Sequence, residues 1–92
     1  MEQCVPVFKA LADGTRLRIV EMLAREDLCA CKILERFSIS QPTLSYHMKI
    51  LCDAGLVAGV RDGTWMRYSV NPAVFGEASE LLRRLNAAGR ES

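Results

Sequence analysis

Two cysteines one residue apart, Cys29 and Cys31, stand directly ahead of a stretch, Lys32 to Asp53, that reads as a helix-turn-helix. Thiolates are the soft ligands that thiophilic ions prefer, whereas carboxylates and water suit hard ions. The pair, with Lys32 and Arg36 nearby, therefore argues against magnesium or calcium and for arsenic-like chemistry. At a helix N-terminus the exposed N–H groups and the basic neighbours would stabilise both thiolates near neutral pH. On an α-helix, residues i and i+2 lie about 200° apart around the axis, so gripping one ion is expected to unwind the first turn. Because Ile33, Leu34 and Phe37 are expected to pack on the next helix, such unwinding would tilt that helix or alter a dimer. A soft-ion ligand pair beside a DNA reader is the arrangement of a sensor.

The elements that must position this pair follow from periodicity. Pro6 fits the first turn of a short helix, with Cys4, Phe8 and Leu11 along one stripe. Asp13-Gly14-Thr15 interrupts it, and either Asp13 or Thr15 can cap the next helix. There Leu17, Ile19, Val20, Met22, Leu23 and Ala24 leave only a narrow polar strip, so the helix is expected to be central. A third helix is expected from the cysteine pair through Phe37, with Asp27 as its cap. Ser40 and Pro42 start a fourth, carrying Leu44, Met48 and Leu51 inward. After Gly55, residues 56–61 and 64–70 read as strands joined by an Asp62-Gly63 turn. Asn71-Pro72 then opens a last helix striped with Val74, Ala78, Leu81, Leu82 and Leu85, fraying from Gly89 onward. The order is mainly α, a winged helix-turn-helix of four helices, a β-hairpin wing and a C-terminal dimerisation helix. No repeat or linker divides it, so residues 1–92 are expected to form a single domain.

Composition bounds the function. Ninety-two residues bury a modest core, which favours a dimer or a very compact helical fold. Half the residues are apolar and a quarter charged, which excludes wholesale disorder. The net charge is +1, with five basic against three acidic residues between 32 and 70. So mild a basic bias gives DNA binding weak support, and the residue pattern must carry it. No apolar run approaches the roughly 20 residues of a membrane span and no signal pattern opens the chain, so a cytoplasmic location without membrane partners is expected. In that reducing setting the four cysteines are expected to be ligands, reactive thiols or core filler rather than a disulfide framework. No Gly-rich phosphate loop is present, and a nucleophilic cysteine would lack an adjacent base, so an enzyme is not expected.

Read together, Leu28-Cys29-Ala30-Cys31, the run Ser40 to Leu51 (SQPTLSYHMKIL), Gly55-Leu56-Val57 and Gly63-Thr64-Trp65-Met66-Arg67-Tyr68 resemble the ArsR/SmtB family of winged-helix metal-sensing repressors. The likeness is collinear over roughly residues 5 to 85, including Ala10 to Asp13 and Thr15-Arg16-Leu17. The resemblance implies a homodimer, paired through its first and last helices, that sits on a palindromic operator of double-stranded DNA and releases it when an ion binds. It implies no permanently bound cofactor, and As(III) or Sb(III) as inducer at Cys29 and Cys31, with Cd(II) or Pb(II) as alternatives. Family members with three ligands on this helix place the third where this chain has Leu34, which cannot ligate. The family's alternative zinc site on the last helix needs histidines, and His47 is the only one here.

Cys4 is the first candidate for a third ligand, within one chain or across the dimer seam, set against a reading as a small buried hydrophobe beside Phe8. Cys52, late in the fourth helix, reads as core filler. For DNA, Ser40, Gln41 and Thr43 sit where this motif meets base edges, and Gln can bond adenine through two hydrogen bonds. Ser45, Tyr46 and Lys49 extend that face. His47 lies nearer the apolar edge, with packing and phosphate contact both open. Arg61 and Arg67 flank the hairpin and could reach phosphates or a minor groove, while Trp65, Met66 and Tyr68 would pin the wing. A thiol redox or reactive-sulfur repressor is the rival function, since low-pKa cysteines oxidise as well as ligate. A disulfide across i and i+2 is expected to be strained. A constitutive winged helix with passive cysteines is the third reading.

Overall fold

The computed structural model describes residues 2–88. A 3₁₀ turn, Glu2–Cys4, leads into α1 (Val5–Leu11), and then come α2 (Gly14–Arg25), β1 (Leu28–Cys29) and α3 (Ala30–Leu34). The chain continues through α4 (Gln41–Asp53), β2 (Val57–Asp62) and β3 (Trp65–Val70) to α5 (Pro72–Ala88). This is a mainly helical winged helix-turn-helix with a three-stranded antiparallel sheet in the order β1-β3-β2. The expected order of elements holds, but β1 is an addition that periodicity could not reveal in two residues. The fraying expected from Gly89 lies outside the described residues. Among these residues no helix is long and apolar enough to cross a membrane.

Local chemistry sets the helix ends. Asp13, rather than Thr15, caps α2: its carboxylate accepts from the Arg16 N–H at 3.0 Å. Ser40 caps α4 by accepting from the Thr43 N–H at 3.2 Å, with Pro42 in the first turn as expected. Gly55, at φ 80°, ends α4. The Leu56 N–H reaches the Leu51 carbonyl at 3.1 Å and the Gly55 N–H reaches Cys52 at 2.9 Å, which is a Schellman closure. The Asn71 side chain accepts from the Ala73 N–H at 3.2 Å where α5 begins. Helix α3 is shorter than expected and stops at Leu34. Phe37 lies beyond it in a tight turn, its ring 4.8 Å from the Arg18 guanidinium of α2.

Every helix contributes to one core, in which Ile19 and Leu23 of α2, Ile33 of α3 and Leu51 of α4 are among the most deeply buried side chains. Each such burial is worth about 1.5–3 kcal/mol. Helix α2 is less enclosed than its sequence suggests, because Leu17 and Ala24 remain exposed. The hairpin turn is shifted by one residue from expectation. Asp62 pairs with Trp65, so the two loop residues are Gly63 and Thr64, and only Gly63 has a positive φ, 67°. That favours a turn with glycine at its first central position. Gly59 faces Tyr68 across the hairpin, and a Cβ there would fall 2.8 Å from Tyr68 Cε1 and 3.0 Å from Met66 Cε. Tyr68 is buried in the core and Met66 packs at its edge, so these two side chains anchor the wing, while Trp65 at the hairpin end of β3 is not among the residues packed on the core.

Candidate functional site

Residues 28 and 29 are extended because they pair with the wing: Leu28 lies opposite Tyr68, and Cys29 opposite Arg67. Cys29 is both the last residue of β1 and the N-cap of α3, at φ −77° and ψ 157°, while Cys31 sits in the first helical turn. The expectation of two helical cysteines that diverge until their helix unwinds is therefore corrected. The strand has already unwound the chain at Cys29, the two Cα atoms are 5.4 Å apart, and the sulfurs are bonded to each other as a disulfide. The strand pairing that leaves Cys29 extended, with Cys31 alone in the helix, is what lets the two sulfurs meet. Asp27 does not cap α3; the cap position belongs to Cys29, which makes no side-chain capping bond.

The remaining cysteines lie elsewhere. Cys4 is buried at the start of α1 and lines a cleft of about 410 Å³ with Gly76, Glu77 and Leu81 of α5, whereas the cleft beside Cys29 does not include it. Among the described residues no group of three or more His, Cys, Asp or Glu could hold a metal ion. Within one protomer the structure thus brings two sulfurs together and no third. Cys52 is half-buried at the edge of the core, and burial, with the Asp53 charge behind it, pushes its thiol above the usual range. A thiol so held is a poor source of thiolate, in keeping with its reading as filler.

On α4, Leu44, Met48 and Leu51 point into the core as expected, and Gln41, Thr43, Ser45, Tyr46 and Lys49 form one exposed face, Tyr46 at 62% exposure. The Ser40 hydroxyl donates to Thr43 Oγ1 at 3.0 Å, so these two side chains brace the start of the helix as well as lining its outer face. Lys49 forms an exposed pair with Asp53 at 3.1 Å. Arg61 is exposed on β2 near the hairpin tip. Arg67 is also exposed, but it sits mid-sheet and lines the cleft beside Cys29.

His47 is half-buried, and its Nδ1 lies 3.1 Å from an Arg16 NH group; the Arg16 Nε donates to the Ala10 carbonyl at 2.7 Å. One guanidinium thus ties the end of α1 and the start of α2 to the reader helix. Tyr46 meets the His47 ring edge-on, with centroids 5.5 Å apart. Sequence reasoning did not single out Arg16. Its partner lies 31 residues away, and no local spacing announces such a contact.

A hydrogen-bonded β-hairpin beside an exposed, capped α4 defines a winged helix-turn-helix, a fold of DNA-binding proteins. The chain matches the family described as bacterial regulatory protein, arsR family, over residues 13–58, from the cap of α2 into β2. It is 40% identical over 84 residues to the arsenical resistance operon repressor of Staphylococcus aureus, covering 91% of this chain and 81% of that one. Among solved structures, an ArsR-like transcriptional regulator from Rhodococcus sp. RHA1 superposes with a TM-score of 0.83 at 30% identity, over 97% of this chain and 84% of that one. The homodimeric winged helix-turn-helix DNA-binding domain of a possible ArsR-family regulator from Mycobacterium bovis gives 0.74 at 29% identity, over 90% and 81%. The chain belongs to the ArsR family. It is a transcriptional repressor of that family, a DNA-binding protein and not an enzyme.

Proposed function

We propose that this repressor, as one domain over residues 1–92, senses a metalloid in the cytoplasm. It binds a palindromic operator as a homodimer and releases it when As(III) or Sb(III) bonds to Cys29 and Cys31. The carrying observation is the meeting of both sulfurs at the junction of β1 and α3, on a strand paired with the wing. The arsenical resistance operon repressor from Staphylococcus aureus supports the same inducer class. Once reduced, the pair offers two soft donors at one point, suited to a thiophilic ion. The third position on arsenic is open to Cys4, of this or the partner subunit, or to a ligand from solution.

Ion binding would reach the DNA surface through the sheet: β1 and α3 pack on β3, β3 pairs with β2, and β2 packs on α4. Full inversion of a two-state population needs roughly 5.5 kcal/mol of preference for the DNA-incompetent form, within reach of metal-thiolate bonding. Ser40, Gln41, Thr43, Ser45, Tyr46 and Lys49 would face the major groove, with His47 set against Arg16 behind them. Arg61 and Arg67 would supply backbone contacts. Homodimerisation through α1 and α5 is supported by exposed Val5, Leu82 and Leu85, at 47%, 54% and 57%, and by the homodimeric relative.

The test is operator binding by fluorescence anisotropy under reducing conditions, with arsenite, antimonite, cadmium and lead titrated against wild type and a Cys29→Ser/Cys31→Ser double variant. Release at near-stoichiometric arsenite, lost in the variant, is expected; tight binding indifferent to every ion would overturn the proposal. The Cys29–Cys31 disulfide favours one second reading, a thiol redox or reactive-sulfur repressor. That reading predicts release by peroxide or polysulfide instead.

A further inference from the structure

Beside Cys29 lies a cleft of about 440 Å³, within the range of small-molecule sites. Three cations, Lys32, Arg36 and Arg67, and three carboxylates, Glu26, Asp27 and Glu35, line it. None of the six takes part in an ion pair or a side-chain hydrogen bond among the described residues, whose ion pairs are Lys49–Asp53 and Glu80–Arg83. Unpaired charges of both signs around one cleft, with a sulfur in its wall, match a small zwitterion that carries a thiol. Two protein sulfurs leave three-coordinate arsenic one ligand short, and the described residues gather no third.

We infer that the cleft binds a zwitterionic low-molecular-weight thiol, of the charge and size of glutathione or cysteine, as the third sulfur on the metalloid held by Cys29 and Cys31. This rests on the metalloid reading above. Two equivalents of the thiol first reduce the Cys29–Cys31 bond and leave as their own disulfide. Arsenite then condenses with both protein thiols, losing two waters and keeping one hydroxyl on arsenic. The bound thiol displaces that hydroxyl: its sulfur forms the third As–S bond, and its proton leaves with the hydroxyl as water. No change of oxidation state at arsenic is involved. The thiol's carboxylates meet Lys32, Arg36 and Arg67, and its ammonium meets the carboxylates opposite. Charge-assisted contacts of this kind are the stronger class of hydrogen bond.

The test titrates arsenite into full-length protein reduced with a phosphine, followed by sulfur-arsenic absorbance in the near ultraviolet. Its arms contain no thiol, 2-mercaptoethanol, cysteine or glutathione, and native mass spectrometry gives the composition of each complex. Glutathione or cysteine is expected to lower half-saturating arsenite about tenfold below the 2-mercaptoethanol arm. One arsenic and one thiol per chain should be found in the complex. In Lys32→Glu/Arg36→Glu, with circular dichroism confirming its fold, glutathione and cysteine should no longer lower half-saturating arsenite below the 2-mercaptoethanol arm of the same variant. Arsenite binding of equal strength in every arm, or a complex whose third sulfur is Cys4, would overturn this inference and leave the metalloid reading standing. No arsenite binding in any arm would overturn both.

Discussion

Cys29 lies directly opposite Arg67 in the β1–β3 ladder, so the sulfur pair is fastened to the central strand of the wing. A shift of Cys29 on ion binding must be transmitted across those backbone hydrogen bonds or break them. Loading the reduced protein with arsenite is expected to move the amide resonances of Arg67, Tyr68 and Val60, the last being the partner of Arg67 on β2. Shifts in Ala78 and Leu81 of α5 should be smaller. A wing that stays silent while α5 responds would show that coupling bypasses the sheet.

Gln41 and Lys49 share the exposed face of α4 but should fail differently. Gln41→Ala is expected to cost about 1–3 kcal/mol on the preferred operator and to relax sequence choice, as loss of a base-edge contact does. Lys49→Ala should weaken all sequences alike and lower the salt slope by about 1. The Lys49–Asp53 pair offers little resistance to this transfer, since exposed i,i+4 pairs are worth about 0.3–0.5 kcal/mol. Anisotropy titrations across salt concentrations on specific and scrambled duplexes separate the two. Identical profiles for both variants would refute the assignment.

Arg16 bridges the Ala10 carbonyl and His47, so removing it leaves part-buried polar groups without their partner. Arg16→Ala is expected to lower stability by about 1–3 kcal/mol in urea unfolding. Arg16→Lys should recover little, because one ammonium does not reproduce the fork that spans two acceptors. An unfolding midpoint unchanged in Arg16→Ala would show that the bridge is ornamental.

The Arg16 N–H bond to Asp13, aided by the nearby Arg16 charge, holds the Asp13 carboxyl below the ordinary Asp range. A carboxylate with a depressed folded-state pKa contributes stability that is fully present above its unfolded value, about 4, and is lost as pH falls through the lower folded value. Asp13→Asn keeps a capping oxygen but not the charge. The stability gap between wild type and Asp13→Asn is expected to be constant from pH 7 to 5 and to shrink toward pH 2. A gap that widens on acidification would contradict the sign of this linkage.

The boundaries of α4 and the start of α5 were the most legible parts of the chain, whereas the cap expected of Asp27 falls to Cys29. Ser40 with Pro42, Gly55 and Asn71 act through contacts within a few residues, and they sit at the boundaries their types announce. The inward stripe of Leu44, Met48 and Leu51 was readable for the same reason, since a helix converts spacing directly into direction. The one-residue shift of the hairpin turn was not readable, because register depends on which strand residues pair. Nor was the exposure of Leu17 and Ala24, which depends on what packs against α2.

The soft-donor chemistry of Cys29 and Cys31, the polar face of α4 and the order of the helices and the hairpin were determined by residue type and short-range spacing alone. Whether those two sulfurs could meet was decided by tertiary structure. A two-residue strand has no periodicity to read, and Cys29 is extended only because residue 67, far along the chain, supplies its partner. The Arg16–His47 contact and the mixed-charge cleft beside Cys29 arise in the same way, from residues that become neighbours only after the chain has closed on its core.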